Sequence, residues 1–284
     1  MMNFLQKSIR RSIIFHSRDA VNQVLIIVLL SAIITGSLFT GHSVRESLRK
    51  SSSEKLGNTG ILISSGLRYF KGSLAERISA ETGEKAIVIL ETDGYCQNFT
   101  TGATALNTKI YGITNNFWSF QGIDPVSIKQ GTVAINNKLA RHLGISAGDD
   151  IIIKFPGLDP IPANAPFAPS GEENLSKVLK VGNVLDSQQA GNFSLGISQI
   201  APMNIFISMT DLYAGQSDEP GVNRLLIQNN SGLSVNSFYE ALRKHITPSD
   251  IGLTVRRSLK TGEPELISNR IFIDSAIVYL LPDL

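Results

Sequence analysis

The side chains with most to offer chemically are four histidines, one cysteine and the adjacent carboxylates Asp149 and Asp150. His16 precedes the most apolar stretch of the chain and His42 follows it, which separates both from the other two. His142 and His245 each fall on a predicted helix surface, where a lone imidazole reads as a solvated side chain rather than a metal ligand or general base. Asp149 and Asp150 follow Gly148 and read as the end of a turn and the start of a strand. Cys96 has no second thiol, so a disulfide framework within the chain is excluded, and a small, partly buried residue is expected there. The sequence contains no G-x-x-x-x-G-K-[ST], no G-x-S-x-G and no H-E-x-x-H, the signatures of phosphate-loop, serine-hydrolase and zinc-protease chemistry. No active site assembles from these residues. The expectation is a protein that is not an enzyme and holds no cofactor and no metal.

The elements that would position any other function are easier to read. Charged residues make up 18% of the 284, mean hydropathy is slightly positive, and 42% of residues are apolar. That balance excludes a disordered chain and places part of it in lipid. A net charge of +2 with 7% aromatic residues gives nucleic acid no purchase. The positive charge is concentrated at the start, where Lys7, Arg10, Arg11 and Arg18 face a single acid, Asp19.

Residues 20–44 carry no charge. As a helix they span roughly 37 Å, against about 30 Å of hydrocarbon. Val24, Leu25, Ile26, Ile27, Val28, Leu29, Leu30, Ile33, Ile34, Leu38 and Phe39 make up its apolar body. A cleaved signal peptide has an apolar core of about 7–15 residues, shorter and earlier than this one, so an uncleaved membrane helix is expected. The four upstream cations set its topology with the N-terminus in the cytoplasm. Within residues 1–19, Phe4, Leu5, Ile9 and Ile13 share a helical stripe suited to lying in the headgroup plane. Val44, Leu48 and Leu56 recur at multiples of four and predict that the helix continues as a stalk over residues 45–57, with Gly57 as its stop.

Beyond residue 58 the pattern is mixed α/β. Strands are predicted at residues 60–64, 86–90 and 109–112, with a helix at 73–82. The middle reads as strand, short helix ending at Gly144, tight turn at Gly148 and Asp149, and strand. Residues 155–176 form a Pro-rich loop, a lid or flexible insertion, before a strand at 178–185. The last third gives a strand at 204–208, a short helix, a strand at 223–228, an amphipathic helix at 235–245 and a closing strand at 252–256. Strand–helix–strand–helix–strand suits ferredoxin-like halves, with a β-rich insert at about 116–200 between them.

These features together resemble the start of an ABC-transporter permease of the MacB/FtsX-like family. The local matches are Ile110–Trp118, the block from Ala140 through Gly144 to Gly148 and Asp149, Val222–Leu226, and Leu266–Asp274. The resemblance implies an α+β fold: one N-terminal membrane helix and a MacB-like periplasmic core domain over 58–260, with porter-like halves flanking a sabre-like subdomain. It implies a bacterial inner-membrane location, with membrane lipid, a separate cytoplasmic ABC ATPase and a second permease, as homo- or heterodimer, for partners. It also implies further membrane helices downstream, so residues 261–284 are expected to begin another segment of a truncated chain. The alternative from the residues alone is a single-pass anchored binding or scaffolding module.

Overall fold

Long runs free of proline and without the period-two alternation of a strand fold as helix. In the computed structural model, which describes residues 2–66, 68–157, 174–196, 202–213, 221–258 and 262–268, this rule yields α1 (Met2–Phe15) and the 40-residue α2 (Ser17–Leu56). Among the described residues α2 is the one helix long and apolar enough to cross a membrane. Its apolar body, Val24 through Phe39, is exposed all round. The Thr40 hydroxyl donates to the Gly36 carbonyl at 2.9 Å, which satisfies it inside the helix. The chain divides into two compact units, Met1–Ser53 and Glu54–Leu284.

The second unit alternates in period two wherever β-branched residues cluster. Its elements are β1 (Ile61–Ser64), β2 (Phe70–Lys71), α3 (Leu74–Thr82), β3 (Ala86–Asn98), β4 (Thr104–Ile113), α4 (Asn116–Gln121), β5 (Thr132–Asn136), α5 (Asn137–Leu143) and β6 (Asp150–Pro156). They continue with β7 (Asn174–Leu185), β8 (Met203–Ser208), α6 (Met209–Tyr213), β9 (Gly221–Val222), β10 (Arg224–Ile227), α7 (Val235–His245), a 3₁₀ turn at Pro248–Ile251, β11 (Leu253–Arg257) and β12 (Pro264–Ser268). This is the expected mixed α/β domain, β-rich, behind one N-terminal apolar helix.

The sheet order is β1-β10-β3-β4-β8-β5-β7-β6, and β6 pairs again with β3. Six strands therefore close a ring, while β10 and β1 extend from the first half of β3 as an open antiparallel trio. Strand β3 serves both because a bulge between Gly94 and Cys96 bends it from one pairing into the next. The trio carries the ferredoxin-like arrangement, with α3 and α7 packed together over one face. The block at 116–200 is β-rich as expected, and its strands β5, β6 and β7 hydrogen-bond into the same sheet as the flanking halves.

One expected strand goes elsewhere. The segment 252–256 was to close the trio, but β11 pairs with β12 in a separate hairpin. Only Leu253 of β11 is buried, so the strand has no apolar face to lay on the sheet. The preceding 3₁₀ turn is also tied to α3, because Arg77 meets the buried Asp250 at 2.6 Å. Several predicted strands run longer than their apolar runs, most of all β3, where Glu91–Asn98 is polar and still paired. Most of the Pro-rich loop (158–173), residues 269–284 and the side chains of Phe4, Leu5 and Ile13 lie outside the described residues.

Two cores result. One face of the sheet, with Ile110, Ile135, Ile153 and Ile207, is covered by α3, α5, α6 and α7. The other, with Ile89, Tyr111, Phe206 and Leu226, is covered by α4 through Phe117, Trp118 and Phe120.

Candidate functional site: the joint at the end of the long helix

The end of α2 and the residues that follow it are held by hydrogen bonds to the domain. Gly57 follows with φ +57°, the left-handed conformation that closes a helix. The orphan carbonyls left at this end are taken up: Lys55 O accepts from Ser194 N at 3.1 Å and Leu56 O from Thr59 N at 3.3 Å. The next residue faces α4. Asn58 N donates to Gln121 Oε1 at 2.9 Å, and Asn58 Nδ2 donates to Phe120 O at 3.1 Å. Gln228 Nε2 donates to the same Phe120 carbonyl at 2.8 Å, tying in the end of β10. Gly60 N then bonds Ile227 O at 2.9 Å and starts β1.

The receiving helix α4 is short but immobilised by its aromatic side chains. Phe117, Trp118 and Phe120 are each at most 1% exposed. The Phe117 ring lies 5.2 Å from that of Phe193, and the Trp118 ring 5.7 Å from that of Phe206, within the range of favourable aromatic contact. Gly122 closes α4 at φ +73°, and a side chain there would approach Asn58 Nδ2 to 2.9 Å. A Cβ at Gly57 would collide with Gln121 Oε1. Both glycines are thus required by the close approach as well as by conformation.

Two polar groups in the joint stay unsatisfied. Gln121 Nε2 and Thr59 Oγ1 are buried and find no hydrogen-bond partner among the described residues. Such a group costs about 1–3 kcal/mol. The Gln121 amide is fixed in orientation, because only its oxygen can accept from Asn58 N.

The residues singled out in the sequence distribute as follows. Lys7, Arg10 and Arg11 lie exposed on α1, and Arg18 lies exposed on α2. Gly144 closes α5 at φ +63°, and Gly148, at φ +102°, donates to Val181 O at 2.7 Å. Asp149 Oδ2 accepts from Ser146 N at 2.8 Å, so this turn fastens β6 to β7 and shares no hydrogen bond with the Gly57 group. His142 meets Thr104 O at 3.2 Å. His245 and Lys244 both contact Glu81, and Lys244 first, then His245, hold that carboxyl below its usual range. Cys96 is fully buried, deeper than expected, and desolvation pushes its thiol up to about 12. Asn58, Gln121, Gln228 and Ser194 went unnoticed in the sequence; the only trace was an aromatic cluster ending in Gly122.

A second feature lies at the C-terminal ends of the parallel neighbours β4 and β8. Their chains leave to opposite faces, β4 into α4 and β8 into α6, and a cleft of about 270 Å³ opens between them. Thr114, Asn115, Ser208 and Thr210 line it with Ile113 and Met209, and no charged side chain does.

The fold defines a class: a β-rich mixed α/β domain preceded in the chain by a helix of membrane-crossing length. No family model matches the sequence, and no curated protein matches it. Among solved structures, the chain is similar to the periplasmic region of MacB from Actinobacillus actinomycetemcomitans, at 9% identity and a TM-score of 0.42, over 80% of this chain and 95% of that one. It is also similar to the extracellular domain of the noncanonic ABC-type transporter YknZ from Gram-positive bacteria, at 11% identity and a TM-score of 0.43, over 73% of this chain and 98% of that one. No residue role is carried across at such identities.

Proposed function

We propose that this chain is the N-terminal part of a permease subunit of an ABC-type transporter or mechanotransmission complex in a bacterial cytoplasmic membrane. A separate cytoplasmic ATPase hydrolyses ATP, α2 carries the movement across the lipid, and the extracytoplasmic domain moves on an export or envelope substrate. The N-terminus lies inside and the domain outside. A second permease, the same or related, completes the membrane part. The work needs no catalytic residue in this chain.

The observation that carries the reading is the joint. A membrane helix that merely anchors a domain needs only a flexible linker, whereas the last turn of α2 and the four residues after it are bonded to three separate parts of the domain: Lys55 to the loop at Ser194, Asn58 to the end of α4 and Gly60 to the end of β10. An insertion of two residues near Ser51 would rotate the helix face by about 200° and add about 3 Å. It should abolish stimulation of the ATPase while leaving the domain folded. Retained coupling would sink the lever. Co-purification of the full-length gene product with the ATPase encoded beside it tests the partnership itself.

The cleft between β4 and β8 favours a second reading, an anchored binding module. Open α/β sheets place ligands where adjacent parallel strands send their chains to opposite faces. The uncharged lining suits a neutral ligand. If this reading holds, Ser208→Trp abolishes activity of the complex without disturbing ATPase association; if the joint alone matters, it changes neither.

A further inference from the structure

We propose that the joint has two seatings, and that Thr59 and Gln121 hold the second one. This deepens the transmission reading and takes its functional meaning from it, although its test does not depend on that reading.

In the seating the structure holds, Gln121 accepts from Asn58 N and leaves its own Nε2 donor unpaired. One residue further along the same strand entry, Thr59 Oγ1 is also buried and unpaired. The two orphans are complementary, an amide donor and a hydroxyl able to accept. They belong to the two sides of the joint, α4 and the helix exit, which are spanned by the bond from Asn58 Nδ2 to Phe120 O and by the bond from Asn58 N to Gln121 Oε1. A rotation of the Asn58–Thr59 segment about Gly57 exchanges that bond for one from Gln121 Nε2 to Thr59 Oγ1. Gly57 permits the rotation, having no side chain to meet Gln121. The aromatic packing of Phe117, Trp118 and Phe120 keeps α4 still while it happens. The exchange trades one hydrogen bond for another and leaves Asn58 N–H and Gln121 Oε1 unpaired in place of Gln121 Nε2 and Thr59 Oγ1, so neither seating dominates overwhelmingly. A pull on α2 then selects between two defined positions rather than straining one.

The test exploits the fact that Thr59 Oγ1 makes no bond in the present seating. Thr59→Val keeps the shape and removes only the second seating's acceptor. Amide hydrogen exchange is measured on the full chain in detergent micelles, at Asn58 and across residues 56–62. The two seatings predict that Asn58 N–H exchanges faster than global unfolding in the native protein, and that Thr59→Val slows it about tenfold. Gln121→Glu, which retains the acceptor oxygen and removes the amide donor, should slow it likewise. Unchanged exchange in Thr59→Val, or faster exchange, overturns the proposal, because the hydroxyl would then be either idle or part of the present seating. These outcomes are independent of the ATPase measurement, so an error about transmission and an error about the two seatings are distinguishable.

Discussion

Replacing Gly57 by alanine isolates what the close approach of α2 to α4 is worth. The cost has two parts. A left-handed alanine costs about 1 kcal/mol relative to glycine. The new Cβ also lands on Gln121 Oε1, so that side chain must leave and Asn58 N–H loses its acceptor. An unpaired, partly buried donor adds about 1–3 kcal/mol, for a total of about 2–4 kcal/mol. Gly144→Ala is the matched control: its φ is +63°, nothing lies within 4 Å of the added carbon, and only the conformational part of about 1 kcal/mol applies. Urea unfolding of the purified chain in micelles reads both, using the fluorescence of Trp118, the single tryptophan, which is buried beside the joint. In a Gln121→Ala background the cost of Gly57→Ala should fall to the control value. Equal costs for Gly57→Ala and Gly144→Ala in the native background would refute the contact.

Three further outcomes follow from the same geometry. Burial works to raise the Asp250 pKa, but the bonds from Arg77 and Thr247 outweigh it and hold the carboxyl below its usual range. Its contribution is therefore present above about pH 4 and lost as pH falls through the depressed value. Asp250→Ala should cost about 2 kcal/mol at pH 7, less than a wholly buried pair because Arg77 is 32% exposed, and the difference from the native chain should shrink in unfolding curves as pH falls below about 4. Phe206→Ala, which removes a ring contacting Tyr111, Phe117, Trp118 and Phe193, should cost about 3–5 kcal/mol in urea unfolding. Cys96, buried and with its thiol pushed up to about 12, should resist an impermeant thiol reagent in intact cells until the domain is denatured, and then be labelled from outside. Labelling that requires a broken cytoplasmic membrane would reverse the proposed topology.

The helix of membrane-crossing length was legible because such a span asks for one thing, an uninterrupted apolar length, and residues 20–44 state it without reference to any other part of the chain. Helix stops and one tight turn were legible for a similar reason: Gly57 and Gly144 close helices, Gly148 makes the turn into β6, and each has a positive φ that the local sequence announces. Strand lengths were less so. Glu91–Asn98 carries no apolar run, and it is strand because β4 pairs along nearly all of it and β6 pairs with Tyr95–Asn98 on the other side. The fate of β11 turned on Arg77 reaching Asp250 across 173 residues, which no local pattern reports. The joint is the clearest case. Asn58, Gln121 and Gln228 are ordinary exposed-looking amides in the sequence, separated by 63 and 107 positions. What gives them a role is the closing of the sheet, which brings the end of α4 against both the helix exit and the end of β10. Composition and periodicity determine which segments can be helix, strand or membrane span, since those preferences are settled within a few residues. Which polar side chains meet is decided only when the strands have paired, because hydrogen bonds act over about 3 Å and the chain order says nothing about such distances.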